Sequence, residues 1–171
     1  WDLAAKARGL SVLDLLGGPA RASVPAYASG GWASSETIGE ELGRYVAQGF
    51  RAVKMRIGAM DGDAVSSIAR ARAAREALGP AIQIMCDAHG TLNVAQAKRF
   101  CAGTADLGLR FVEEPVMSDD RTGLAEVRRG ASVAIAAGES EFSAFDFAEL
   151  VEARAIDVLQ PDLAIAGGLS E

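Results

Sequence analysis

The stretch LRFVEEP, residues 109–115, sets Phe111 and Val112 directly ahead of two glutamates and a proline. The apolar pair reads as the end of a buried strand, and Pro115, with no backbone N–H to donate, stops it. A carboxylate at the edge of a core needs a partner or a ligand, because an unpaired buried charge is costly. Glu113 and Glu114 cannot satisfy each other, since two like charges side by side repel.

The same pattern recurs on both sides of this stretch. VPAYAS (24–29), FRAVKMRIG (50–58), AIQIMCDAHG (81–90), SVAIAAGES (132–140) and AIDVLQPD (155–162) are further strand candidates. Between them lie helical patterns. Ser34 and Ser35 are expected to cap a stripe of Ile38, Leu42, Tyr45 and Val46 that ends near Gly49. Asp63 caps a helix that places Val65, Ile68, Ala71, Ala74 and Leu78 on one face, closed by Gly79 and Pro80. A third helix is expected over 92–107, and Asp119 and Asp120 are candidate N-caps for a fourth. Strands that alternate with helices and are apolar throughout indicate an α/β fold with a parallel sheet buried on both faces. The opening WDLAAKARGLSVLDLLGG is helical with a Gly-Gly stop, so residues 1–20 form a leader and 21–171 the α/β body.

Composition narrows the function classes. The 171 residues, 50% hydrophobic and 23% charged, are enough for one sizeable core. A formal net charge of −6 argues against nucleic acid or an anionic membrane surface as partner. Cys86 and Cys101 sit in apolar patterns and are expected as buried thiols rather than a disulfide. No apolar run approaches the roughly 20 residues of a membrane span and no signal peptide opens the chain, so a cytoplasmic location is expected.

Each strand finishes in polar residues. These are Lys54 and Arg56, then Asp87 and His89, then Glu113 and Glu114, then Glu139 and Glu141, then Gln160 and Asp162. In parallel α/β folds, barrels above all, the carboxyl ends of the strands form the reactive face. Alternation puts Lys54 with Arg56, and Asp87 with His89, on a shared side. Asp87, Glu113 and Glu139 are each 26 residues from the next, one βα unit apiece. Three carboxylates at adjacent strand ends suit a hard divalent cation such as Mg²⁺. By alternation Glu113 is the inward member of its pair, and Glu114 turns to a neighbouring strand or loop. Capping of the following helices is the plain alternative for any one of these acids.

VKMRIG, DAHG, FVEEPV, AAGES and LQPDLAIAGG, in this order and spacing, resemble the enolase superfamily in its mandelate racemase and muconate lactonizing enzyme branch. The leader is similar to the segment that precedes the barrel there. The resemblance implies a partial TIM-type (β/α)-barrel, about six of eight strands, preceded by the end of a missing N-terminal capping domain. It also implies Mg²⁺ held by Asp87, Glu113 and Glu139. The shared step it implies is abstraction of the proton alpha to a carboxylate, giving an enediolate. Lys54 matches the first lysine of the family's Lys-x-Lys motif and would polarise the substrate carboxylate. Arg56 stands where many members have a second lysine that acts as base. A guanidinium stays charged in nearly any site, so Arg56 is expected as a hydrogen-bonding cation or as a salt-bridge partner of the carboxylates.

His89, the only histidine, follows Asp87 by two, as in the acid-sugar dehydratases, where such a histidine assists departure of the beta hydroxyl. Metal ligation and a structural role are its alternatives. Asp162 matches the aspartate of a His-Asp dyad whose histidine would lie on a seventh strand, past Glu171. AIAGG after it reads as helix-entry glycines rather than a phosphate loop. The expected protein is thus a Mg²⁺-dependent acid-sugar dehydratase acting on a hydroxy or sugar acid. A racemase, epimerase or cycloisomerase of the same superfamily, or an inactive piece, is the alternative. Without the dyad histidine the chain is expected to be inactive alone, and its unpaired edge strands and uncovered apolar faces lead to the expectation that it associates with itself, as a homo-oligomer, or with a partner.

Overall fold

A computed structural model describes residues 1–19, 21–58 and 60–171, so Ala20, the expected last residue of the leader, lies outside the described residues. Six strands, β1 (Ala28–Gly30), β2 (Ala52–Arg56), β3 (Gln83–Asp87), β4 (Phe111–Glu113), β5 (Ala134–Ala137) and β6 (Val158–Leu159), lie in chain order in one sheet. Every neighbouring pair is parallel. Helices α3 (Ile38–Ala47), α4 (Ala64–Leu78), α5 (Val94–Gly103), α6 (Arg121–Gly130) and α7 (Ala144–Glu152) make the crossovers. Repeated βα units with a sequential strand order are the wall of a TIM-type barrel. Ahead of them, α1 (Asp2–Ala7) and α2 (Val12–Leu15) are two short helices rather than one. Gly9, at φ 65°, breaks the expected continuous helix, and Gly17 and Gly18 end the second.

Local chemistry explains the boundaries. Asp63 accepts from Ser66 N, and Asp120 from Gly123 N, so Asp120 and not Asp119 caps its helix. Asn93 with Gln96, and Ser143 with Asp146, form capping boxes that start α5 and α7. The expected caps Ser34 and Ser35 lie one turn early. Ser34 O accepts from Ile38 N, while Thr37 holds the N-cap position without a side-chain bond. The strands are shorter than their apolar runs because the backbone leaves the extended region just past them, at Gly58 (φ 90°), His89 (φ 48°), Glu114 (φ 39°) and Gly138 (φ 140°).

The sheet buries both faces differently. Val53, Met55, Ile84, Cys86, Val112 and Ile135 point outward and pack beneath the helices with Ile38, Leu42, Ala71, Phe100, Leu124, Val127 and Leu150. Each such large side chain contributes about 1.5–3 kcal/mol on burial. The opposite face carries a smaller cluster, Met85, Phe111 and Ala136 with Ala52, Ala134 and Val158. This cluster floors the polar strand ends. Cys86 and Cys101 are free and buried, and burial pushes their thiols up to about 12 and about 11, so both are inert near neutrality. Among the described residues no helix is long and apolar enough to cross a membrane.

Candidate active site

The inner face ends in a charged layer. In the sheet register Arg56 lies opposite Asp87, and Asp87 opposite Glu113. Lys54 points between the two acids, its Nζ donating to Glu113 Oε2 at 2.6 Å and lying 3.4 Å from Asp87 Oδ2. All three are nearly sealed, with Lys54 9%, Asp87 4% and Glu113 2% exposed. Burial lowers the Lys54 pKa, but the hydrogen bond it donates to Glu113 and the charges of Glu113 and Asp87 outweigh it and hold the ammonium above its usual range. Lys54 is thereby kept a cation. Its ammonium also lies 5.7 Å from the Tyr27 ring centroid.

A second group stands on the loops just above. His89 Nδ1 lies 3.1 Å from Glu139 Oε1 and 3.7 Å from Glu114 Oε2, and Ser140 Oγ donates to Glu114 Oε1 at 3.0 Å. Burial pushes the Glu114 carboxyl up, and repulsion from Glu139 and Asp87 adds to it, against the Ser140 bond and the His89 contact. The ligand atoms of His89, Glu114 and Glu139 all fall within 4.8 Å of one another, a trio the sequence reading did not assemble.

One expectation of register is corrected here. Opposite Glu113 on β5 is Ala136, so Glu139 is three residues further along and not in step with it. Glu114 is turned to the neighbouring loop as expected. It is nonetheless buried, and shares its surroundings with His89 and Glu139. The reason is backbone. His89 and Glu114 are non-glycine residues at positive φ, so alternation stops at the strand end. Such conformations cost on the order of 1–3 kcal/mol and concentrate at functional sites.

Arg56 Nη1 is 3.1 Å from Asp87 Oδ1, yet it is buried without an aligned hydrogen-bond acceptor. The guanidinium carbon of Arg56 lies 5.3 Å from the Trp32 ring centroid. Gln160 Nε2 donates to Glu113 Oε2 at 3.3 Å and leaves its Oε1 buried and unpartnered. Lys54, Arg56, Asp87 and Trp32 line a cavity of about 130 Å³, and a neighbouring one of about 450 Å³ is bounded by Trp32, Arg56, Ile57, Met60, His89 and Thr91. Asp162 is not brought to this layer. It is exposed, and it holds the turn that follows by accepting from Ala164 N. Residues 164–168, AIAGG, lie in that turn region. Glu141, buried and bidentate on Arg121, braces the loop after β5 against α6.

The donor chemistry of this layer fits a hard divalent cation. Among the described residues the cationic partners of the four carboxylates Asp87, Glu113, Glu114 and Glu139 are Lys54, Arg56 and one imidazole, and Gln160 offers a buried carbonyl oxygen with no donor. The three acids expected as ligands are not gathered around one point. Asp87 and Glu113 share Lys54, while Glu139 pairs with His89.

The enolase C-terminal domain-like family matches residues 37–171. The chain is 35% identical to D-galactarolactone cycloisomerase of Agrobacterium fabrum, over 100% of this chain and 46% of that protein. It is 33% identical to arabinonate dehydratase of Saccharolobus solfataricus over the same shares. Among solved structures, an enolase from Bradyrhizobium complexed with magnesium and mandelic acid superposes with a TM-score of 0.89 at 37% identity, covering 99% of this chain and 46% of that one. The chain spans about half the length of the curated relatives it matches.

Proposed function

This chain belongs to the enolase C-terminal domain-like family, and we propose that it carries the reactive face of a Mg²⁺-dependent acid-sugar dehydratase. The observation that carries the reading is the division of roles among its polar groups. Lys54 is held as a cation with the Arg56 guanidinium beside it against Asp87, and the chain's one imidazole, His89, stands on the rim against Glu139. A racemase needs a base on each side of the alpha carbon, and two fixed cations do not provide one.

Lys54 and Arg56 would hold the substrate carboxylate and stabilise the second negative charge that develops as the alpha proton leaves. Asp87, Glu113 and Glu139 are the residues that would bind Mg²⁺, which when present supplies further positive charge against that carboxylate. His89 would deliver a proton to the departing beta hydroxyl, so that water leaves and an enol remains, which ketonises to a 2-keto acid. We assign abstraction of the alpha proton to a histidine of the whole protein, oriented by Asp162.

In the protein that carries this chain, His89→Asn should lower dehydration by about 10²–10⁴-fold while slow exchange of the alpha proton with deuterium persists. Mass spectrometry of substrate recovered from D₂O reads both. Loss of exchange together with dehydration would make His89 the base or a metal ligand. A cycloisomerase is the second reading, favoured by the 35% identity to D-galactarolactone cycloisomerase. It would rearrange a C–O bond without releasing water, so the product mass separates the two.

We also propose that the chain on its own associates with itself. Among the described residues β1 and β6 are the free edges of the sheet, and Phe142 and Phe145 are 73% and 82% exposed. Light scattering that gave a well-behaved monomer would sink this expectation.

A further inference from the structure

We infer that Trp32 is a specificity-determining side chain of the site proposed above, stacking against the substrate carbons that lie beyond the reacting pair. The inference rests on that reading for the position of the reacting carbons, but its evidence is separate. Trp32 is 58% exposed, so burial does not account for its placement. Its backbone is nevertheless fixed from both sides by charged groups. Glu41 accepts from Gly31 N at 2.9 Å and from Ala33 N at 2.7 Å. Arg70, only 4% exposed, donates to Gly31 O at 2.7 Å and to Ala33 O at 2.8 Å. The same guanidinium donates to Arg56 O at 2.8 Å and is paired with Asp61.

One buried arginine thus ties the loop after β1 to the end of β2, and the residues on either side of Trp32 have their amides and carbonyls satisfied. Gly31 is needed for this mount. Its φ is +75°, and a Cβ there would come within 2.5 Å of Met55 Cβ. A largely exposed indole on a fixed backbone, lying over the Arg56 guanidinium, is partly pre-organised surface, because part of the ordering cost of binding is already met by the fold.

The placement of the indole indicates what it touches. It lies over the Arg56 guanidinium and forms a wall common to the cavity with Lys54, Arg56 and Asp87 and to the larger one with Met60, Ile57 and His89. A carboxylate held at Lys54 and Arg56, with its beta carbon toward His89, directs the rest of its chain into the larger cavity. Trp32 and Met60, both exposed, give that cavity apolar walls, which reward a C–H face such as one side of an acid-sugar chain.

The protein that carries this chain is labelled with 5-fluorotryptophan, and the Trp32 resonance is identified by its loss in Trp32→Phe. Sugar acids with a chain beyond the beta carbon should shift that resonance, and glycerate, which has none, should not. In kinetics, Trp32→Ala should lower the ratio of kcat/KM for the longer acid over glycerate by about tenfold, mostly through KM, and Trp32→Phe should recover most of it. A Trp32 resonance unmoved by an acid that the protein dehydrates overturns the inference and leaves the dehydratase reading intact. An equal loss for both acids also overturns it, because Trp32 would then act only through Arg56. If no acid is dehydrated and the longer acids still shift Trp32, the subsite stands and the dehydratase reading falls.

Discussion

On the outer face of the sheet Val53, Ile84, Val112 and Ile135 are wholly sealed beneath the helices, whereas the inner face of the same strands carries Lys54, Asp87 and Glu113. The two faces are one residue apart along every strand. Outward residues satisfy water's exclusion and nothing else, so their chemistry is uniform and exchangeable in kind. Inward residues at the strand ends are buried almost as completely, yet each charge has a named partner. Lys54 lies between two acids, and Gln160 reaches Glu113 from β6's end. Burial alone therefore does not separate scaffold from site in this molecule. The presence of unspent polar capacity does, in Arg56 Nη1 and Gln160 Oε1.

The contrast is broken hardest on the outer face. Phe100, fully buried on α5 among the outward residues, should cost about 3–5 kcal/mol on replacement by alanine, through lost transfer energy and the cavity left behind. Denaturant unfolding measures this. The Mg²⁺ affinity of the fraction that remains folded should be unchanged. A large loss of affinity would mean the outer packing positions the inner charges more tightly than alternation along a strand implies.

On the inner face the expected effect is on binding. Glu113→Gln should weaken Mg²⁺ about tenfold or more, and Glu114→Gln should change it far less. Isothermal titration decides the order. The reverse order would select the trio of His89, Glu114 and Glu139, whose ligand atoms already lie within 4.8 Å of each other. A smaller effect tests the join between the faces. Ser143 caps α7 just after the loop that carries Glu139 and Ser140, so Ser143→Ala should cost about 1 kcal/mol and loosen that loop. Hydrogen exchange confined to the region around the loop and the first turn of α7 would bear this out.

The sheet was legible because its signals are local. Continuous apolar runs with polar ends, separated by capped helices, allow few arrangements, and the equal spacing of Asp87 and Glu113 matched their pairing across β3 and β4. The same spacing misled for Glu139. The count ran through Gly138, where the chain has already left the strand, and Ala136 took the paired position. Glu114 escaped alternation for the same reason, at φ 39°. Trp32 was missed because Glu41 and Arg70, which mount it, look in sequence like solvated positions on helical faces. The one available signal was Gly30-Gly31 directly before an aromatic residue, a glycine pair required by close approach of Tyr45 on α3 to Gly30 and of Met55 on β2 to Gly31. Asp162 drew attention by its motif, and geometry leaves it exposed in a turn.

The smallest expected effect concerns a carboxylate whose charge serves the scaffold. Asp157 accepts from Ile135 N at 2.9 Å and from Arg128 Nε at 2.8 Å, tying β5 and α6 to the start of β6. Burial pushes its pKa up, but the Arg128 hydrogen bond, the Ile135 amide and the Arg128 charge together hold it below the usual carboxylate range. A folded-state pKa below the unfolded one means the contribution to stability is present above the unfolded value, near 4, and is lost as pH falls through the folded one. About a third of each partner's side chain is exposed, so screening limits the pair to less than about 1 kcal/mol. Asp157→Asn should therefore be slightly less stable than the parent at neutral pH, and the gap should close as the pH drops below the ordinary carboxylate range. Urea unfolding at a series of pH values tests this. A gap that stays constant into acid would show that shape, and not charge, holds this corner, and the outer scaffold would then owe nothing to its acids.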